Sequence, residues 1–241
     1  MSRLGFPRVH HRLTDSTNAR AIELARAGAP HGTLVTAEEQ SVGRGRQGRS
    51  WTAEPGSALL LSLVVRDLAE QHAILPLAAA VAVGEAAEAL VAVECAIKWP
   101  NDVWIDGRKL AGILVEGRPQ EGWAVLGVGL NVSTREFPEP LRGSATSLAL
   151  ASPTGEGPAR EAVLEALLAS LERRLDEPVA AVLADWRRRD ALRGSRIRWD
   201  SGVGVAAGID ETGALLVDTA EGSVALQAGE VHLALAAERD G

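Results

Sequence analysis

Several things are scarce in this chain of 241 residues. It has one cysteine, Cys95, so an intrachain disulfide framework is excluded and a reducing cytoplasm suits it. No apolar run approaches the ~20 residues needed to span a bilayer, and no signal peptide is recognisable, so a soluble protein with no membrane role is expected. The five histidines (His10, His11, His31, His72 and His232) show no metal-ligand spacing with cysteine or carboxylates, and His10-His11 reads as surface. A net charge of −7 leaves no broad basic face for nucleic acid, so any anion site must be a local cluster. Lysine is scarcest of the cations. Of 25 basic residues only Lys98 and Lys109 are lysines, both within residues 98–109. Lysine is a compact point charge that can follow a carboxylate or phosphate through a reaction, whereas arginine is a planar fork.

What is present is ordinary for a globular protein: 46% hydrophobic and 24% charged residues, enough for one large domain and a small one. Residues 14–18 offer several N-caps ahead of an Ala-rich helix over 19–27, closed by Gly28 and Pro30. Strands are predicted over 32–38 and 57–66, and a largely buried helix over 73–93. Short strands follow at 96–99, 103–105 and 109–116, the last two joined by an Asp106-Gly107 hairpin turn, with another at 123–132. Residues 135–152 read as irregular, and 158–175 and 179–189 as helices. From Arg193 onward, short apolar runs with glycine punctuation (203–207, 214–219, 223–226, 231–235) predict a small β-barrel, too small to stand alone and expected to dock on the larger part.

The segment Gly43-Arg44-Gly45-Arg46-Gln47-Gly48-Arg49-Ser50 spells both a dinucleotide fingerprint and a near P-loop. Both devices deliver phosphate to the start of a helix. Here Pro55-Gly56 follows too soon for a helix, so both matches fail on context. What remains is a glycine-hinged loop with three arginines and Trp51. The three arginines repel one another unless an anion neutralises them, so the loop is expected to order on ligand binding. The alternative on these residues alone is an Arg/Gly loop that touches nucleic acid.

Five segments together resemble the biotin–protein ligases. They are Asp15-Ser16-Thr17-Asn18; Gln40 with residues 43–51; Lys98-Trp99-Pro100-Asn101-Asp102; the run 107–116 containing Gly107-Arg108-Lys109-Leu110-Ala111-Gly112; and Gly127-Val128-Gly129-Leu130-Asn131-Val132. They stand in the family's order and spacing over about residues 13–132. The resemblance implies an α+β fold: a catalytic domain of mixed β-sheet with flanking helices over 1–192, and an SH3-like C-terminal β domain over 193–241. It implies a reaction in which biotin and ATP form biotinyl-5′-AMP, and biotin then passes to a lysine of a biotin carboxyl carrier protein domain of a carboxylase.

On that resemblance, Ser16, Thr17, Asn18, Gln40, Arg44, Gly45, Arg46 and Lys109 bind biotin. Arg46, Arg49, Trp51, Lys98, Asn101 and Asn131 bind ATP or the adenylate. Lys109 and Arg46 are the catalytic pair, placed where a carboxylate and an α-phosphate, both anionic, must meet. Charge neutralisation and alignment suffice for such a step, with no enzyme nucleophile. Asp102 is the candidate Mg²⁺ ligand, and Asn131 carries the donor–acceptor pair that suits an adenine edge. Trp99 and Trp104 read as core, and Cys95 as an inert core thiol.

Many family members carry an N-terminal DNA-binding domain. About a dozen residues precede Thr14 here, so a ligase without DNA binding is expected. Ala234 stands where a family arginine reaches the nucleotide, which puts a nucleotide role for the C-terminal domain in doubt. A homodimer through sheet edges is left open. The alternatives are a lipoate– or octanoate–protein ligase, which needs a purely apolar acyl slot, and a nucleic-acid-binding module.

Overall fold

The computed structural model describes residues 4–66 and 74–234. Residue 73, where a helix is predicted to begin, lies outside them, as do residues 1–3 and 235–241 at the ends of the two expected domains. Seven strands make the main sheet: β1 (Arg8–Thr14), β2 (Leu34–Gln40), β3 (Ala58–Arg66), β4 (Ala96–Lys98), β5 (Asp102–Ile105), β6 (Arg108–Arg118) and β7 (Trp123–Asn131). Their order is β1-β2-β3-β7-β6-β5-β4. The β1–β2 pair is parallel and is connected through helix α1 (Thr17–Arg26), as a parallel crossover requires; the other pairs are antiparallel.

Helix α1 ends as its sequence predicts. Gly28 adopts φ +87°, and the N–H groups of Gly28 and Ala29 donate to the carbonyls of Ala25 and Leu24. Strand β1 is not legible in the sequence. It is an edge strand rich in Arg and His, held by backbone pairing with β2 more than by apolar burial. His10 lies on this edge, its ring 2.9 Å from the Thr36 hydroxyl.

Helices α2 (Leu75–Leu90), α4 (Arg160–Asp176) and α5 (Val179–Arg188) pack together. Within residues 135–152, expected to be irregular, Ser147 caps a single helical turn, α3 (Leu148–Ala151), by accepting from the Leu150 N–H at 3.1 Å. Alternation along the strands sends Leu59, Leu61 and Leu63 of β3 and Leu126, Val128 and Leu130 of β7 into the core that contains α2, α4 and α5. The opposite face is covered over part of its length by α1, where Ala21 and Ala25 pack on Val35, Val64, Trp123 and Val125. The rest of that face remains open to a site.

A second, antiparallel sheet holds β8 (Arg196–Trp199), β9 (Gly202–Ile209), β10 (Leu215–Thr219), β11 (Gly222–Leu226) and β12 (His232–Leu233), in the order β11-β10-β9-β8-β12. Strand β8 is a further element the pattern did not announce. The small sheet docks as expected: the Trp99 indole N–H donates to the Gly213 carbonyl at 3.0 Å, and Ile197, Ile209, Leu215 and Val217 join the main core. The α+β class inferred from the sequence is the one observed.

Candidate active site

The uncovered face of the main sheet is the floor of a cavity of about 470 Å³, a size suited to a small-molecule ligand. All fourteen residues singled out in the sequence line it. Cross-strand register explains how segments so far apart meet. Lys98 pairs with Asp102, Asp102 with Gly112, Gly112 with Gly129, and Gly129 with Leu60, giving one row across five strands. A second row runs Leu114–Gly127–Ser62.

The glycines of these rows are needed for their neighbours. A Cβ at Gly127 would lie 2.0 Å from the Asn18 side-chain oxygen, and one at Gly129 would lie 2.5 Å from the Trp51 ring. Simple alternation would put Lys109 on the opposite face from Gly112. Between the pairs Val103–Ala111 and Trp104–Lys109, however, β6 carries one extra residue, Leu110. This bulge turns Lys109 into the cavity.

One end of the cavity is a chain of neutral polar groups. The Thr17 backbone N–H (2.7 Å) and hydroxyl (3.0 Å) both donate to the Gln40 side-chain oxygen. The Ser62 hydroxyl lies 2.8 Å from the Thr17 hydroxyl and donates to the Asn18 oxygen at 2.6 Å. The Asn18 amide nitrogen donates to Glu116 at 2.9 Å, and Arg44 lies 3.3 Å from the same carboxylate. Ser16 stands at the N-cap position of α1, yet its side chain makes no capping bond. Its hydroxyl, like Thr17 and Asn18, lies at the buried wall of the cavity.

The other end is cationic. Lys109 Nζ is 2.8 Å from Asp102 and 5.8 Å from the centre of the Trp51 ring; Lys98 Nζ is 5.4 Å from that of Trp104. Burial lowers the pKa of Lys98 and of Arg46 from their ordinary values, while the Asp102 charge opposes the shift in both. The arginine loop has only a short 3-10 turn, Arg46–Gly48, and no following helix, in keeping with the failed phosphate-loop matches. Two of its three arginines already meet carboxylates within the chain, a partial neutralisation that the expectation of an incoming anion did not include. Arg44 meets Glu116, Arg46 donates to the Asn101 side-chain oxygen and the Gly229 carbonyl (3.1 Å each), and Arg49 pairs with Glu230 at 2.5 Å. Gly45 donates to the Arg49 carbonyl at 2.7 Å, which closes the loop on itself.

Several lining residues went unassigned in the sequence. Glu230 and His232 join the wall from the C-terminal sheet, while Ser62 and Glu116 lie behind it, bonded to Thr17, Asn18 and Arg44; of these four, only Glu116 falls within a recognisable motif. Trp104, expected in the core, lines the cavity, whereas Trp99 is a 2% exposed core residue as expected. Asn131 is buried at the end of β7 and donates to the Thr146 carbonyl at 3.0 Å, so part of its amide is used within the protein. Ala234 does not line the cavity; its N–H donates to the Arg196 carbonyl, and the C-terminal sheet reaches the site through Glu230 and His232. Cys95 is a buried thiol pushed up to about 12 by burial, consistent with an inert core role.

No group of three or more His, Cys, Asp or Glu among the described residues is arranged to hold a metal. Asp102, paired with Lys109, fits Mg²⁺ only as a single protein ligand that leaves the remaining positions to phosphate oxygens and water. The Trp51 indole nitrogen is buried without a protein acceptor.

Comparison with known proteins gives the family. Residues 10–133 match the biotin/lipoate A/B protein ligase family, and residues 200–233 match the biotin protein ligase C terminal domain. The chain is 36% identical to the bifunctional ligase/repressor BirA of Bacillus spizizenii, over 95% of this chain and 75% of that protein. It is 39% identical to the biotin–[acetyl-CoA-carboxylase] ligase of Mycobacterium tuberculosis, over 91% of this chain and 86% of that one. The solved structure of the biotin protein ligase from Aquifex aeolicus in complex with biotin and ATP superposes with a TM-score of 0.85 at 27% identity, covering 95% of this chain and 100% of that one. The chain belongs to the biotin/lipoate A/B protein ligase family.

Proposed function

We infer that this chain is an ATP-dependent biotin–protein ligase, which activates biotin to biotinyl-5′-AMP and transfers it to a lysine of a biotin carboxyl carrier protein domain. One observation carries the reading: a single cavity joins a buried, hydrogen-bonded neutral end to four cations opposed by two carboxylates. A ureido ring is neutral and needs fixed donors and acceptors, which Ser16, Thr17, Asn18 and Gln40 supply. A purely apolar acyl slot, as a lipoate or octanoate ligase would need, does not describe that end. The cationic end suits the meeting of a carboxylate with an α-phosphate.

In this reading Lys109, turned inward by the bulge, bridges the two anions, with Arg46 beside it. Arg44 and Gly45 close over the biotin side, while Arg49, Lys98 and Asn101 face the nucleotide. Trp51 covers the floor at Gly129 and Gly112, limiting water at a hydrolysable adenylate. Asn131 faces the adenine. Asp102 would be the protein ligand of Mg²⁺, which when bound supplies further charge neutralisation at the phosphates. Residues 1–192 form the catalytic domain and 193–241 the C-terminal domain.

A buried free thiol and no helix, among the described residues, long and apolar enough to cross a membrane support a cytoplasmic setting. Carrier-protein transfer rests on the relatives named for a carboxylase substrate.

Biotin-dependent exchange of label between pyrophosphate and ATP tests substrate, nucleotide and chemistry together. Exchange driven by lipoate or octanoate and not by biotin would overturn the substrate assignment. Steeply salt-dependent nucleic-acid binding without stabilisation by biotin and ATP would overturn the enzyme reading.

A further inference from the structure

The three loop arginines are anchored to different parts of the chain. Arg44 reaches Glu116 on β6, Arg46 reaches Asn101 between β4 and β5, and two contacts go to the segment just ahead of β12: Arg46 to the Gly229 carbonyl and Arg49 to Glu230. Gly229 has φ +127°, a conformation glycine tolerates and other residues rarely adopt, and it immediately precedes the Glu230 that enters the cavity wall. The Glu230 side chain is 20% exposed, its partner Arg49 54%. Glu230 is also near enough to favour the charged forms of Lys98 and Arg46.

We propose that Glu230 is a positioning residue for the arginine loop: its carboxylate holds Arg49 over the cationic end before nucleotide binds, and releases Arg49 to the triphosphate when ATP arrives. This rests on the ligase reading. The chemistry of exchange is simple. A carboxylate and a phosphate oxygen accept the same guanidinium N–H groups, and a triphosphate carries more charge than a carboxylate. Ordering the loop costs conformational entropy; a contact already made in the free protein removes part of that cost from nucleotide binding. The C-terminal sheet thereby contributes to the ATP end without an arginine at position 234.

Limited trypsin digestion, with cleavage after Arg44, Arg46 and Arg49 mapped by mass spectrometry, reads the loop directly. In Glu230→Gln without ligand, loop cleavage is expected to rise about five-fold, the size of a partly exposed ion pair, and to return to the wild-type rate with biotin plus ATP. The KM for ATP in pyrophosphate exchange should rise by about the same factor, while kcat and the Kd for biotin alone change less than about two-fold. Arg49→Gln removes the same contact from the other side and should raise cleavage after Arg44 and Arg46, the two loop sites it keeps, by the same factor without ligand, which guards against a folding defect peculiar to position 230. The charge-swapped double variant, Arg49→Glu with Glu230→Arg, should recover protection after Arg44 and Arg46 but not the KM for ATP. Unchanged loop cleavage in Glu230→Gln, or faster cleavage with an unchanged or lower KM for ATP, overturns the proposal. A wild-type protein without biotin-dependent exchange would instead sink the ligase reading, since the ligand-free digestion needs no activity.

Discussion

At one end of the cavity Gln40, Thr17, Ser62 and Asn18 satisfy one another, and the chain of bonds ends on Glu116. At the other end Lys98, Lys109, Arg46 and Arg49 face, among the carboxylates of the described residues that line the cavity, Asp102 and Glu230. The first end is preorganised: its groups are oriented within the folded protein, so a neutral polar ligand meets donors and acceptors already in place. The second end is under-neutralised and becomes electrically balanced only with incoming anions. The difference separates recognition, which depends on shape and hydrogen bonding, from activation, which depends on charge.

The comparison breaks most readily at Lys109. Its replacement by arginine should lower biotin-dependent pyrophosphate exchange by about 100-fold or more, because a planar fork cannot reproduce a point charge between two anions. Lys98→Arg should lose less, since Lys98 lies over Trp104 without an ion-pair contact like that of Lys109 with Asp102. Near-full activity in both variants would remove the special role assigned to Lys109. At the neutral end, Gly127→Ala should weaken biotin binding about 10-fold or more by calorimetry, because the new Cβ would displace Asn18 from a position 2.0 Å away. An unaltered biotin Kd would show that Asn18 is not held against the floor.

Salt separates the ends more gently. Raising ionic strength from about 0.05 to about 0.5 M should weaken ATP binding several-fold and biotin binding less, since ATP brings a triphosphate to the cationic end and biotin a single carboxylate. Equal losses for both ligands would contradict the division.

The smallest effect concerns the support of the neutral end. Arg20, with the Ser16 N–H, lowers the pKa of Asp15 at the entry to α1 to about 2 from 3.8. A depressed carboxyl pKa contributes stability that is complete above about pH 4 and is lost as pH falls toward 2. The pair is well exposed, so solvent screens much of it. Arg20→Ala should slightly reduce the acid sensitivity of the melting temperature in that window; an unchanged profile would mean that Arg20 does not hold Asp15.

How much could be read in advance differs between elements for physical reasons. Helix α1 and the Asp106-Gly107 turn were legible because their signals are local: an Ala-rich run closed by glycine, and two residues with positive φ, +49° and +73°. The arginine loop was legible as a cluster of positive charge, since Arg44, Arg46 and Arg49 stand among glycines in one short segment. Strand β1 was not, because an edge strand gains its place from a partner's backbone and needs no apolar alternation; β8, four residues with Ile197 as its one buried side chain, is too short to show a pattern. Ser62 sits in an otherwise apolar strand and becomes informative only when it meets Thr17 and Asn18. Glu230 lies in the C-terminal segment, far along the chain from the arginine it binds, and no spacing rule connects them.

Local composition alone therefore determined the four longer helices, the Asp106-Gly107 turn, the arginine loop and the concentration of the two lysines in one stretch. Tertiary structure decided which face each side chain uses. The decisive case is Lys109: strict alternation would send it away from Gly112, and one extra residue at Leu110 reverses it. A bulge depends on how two strands pair, which is a property of the folded sheet and not of either strand.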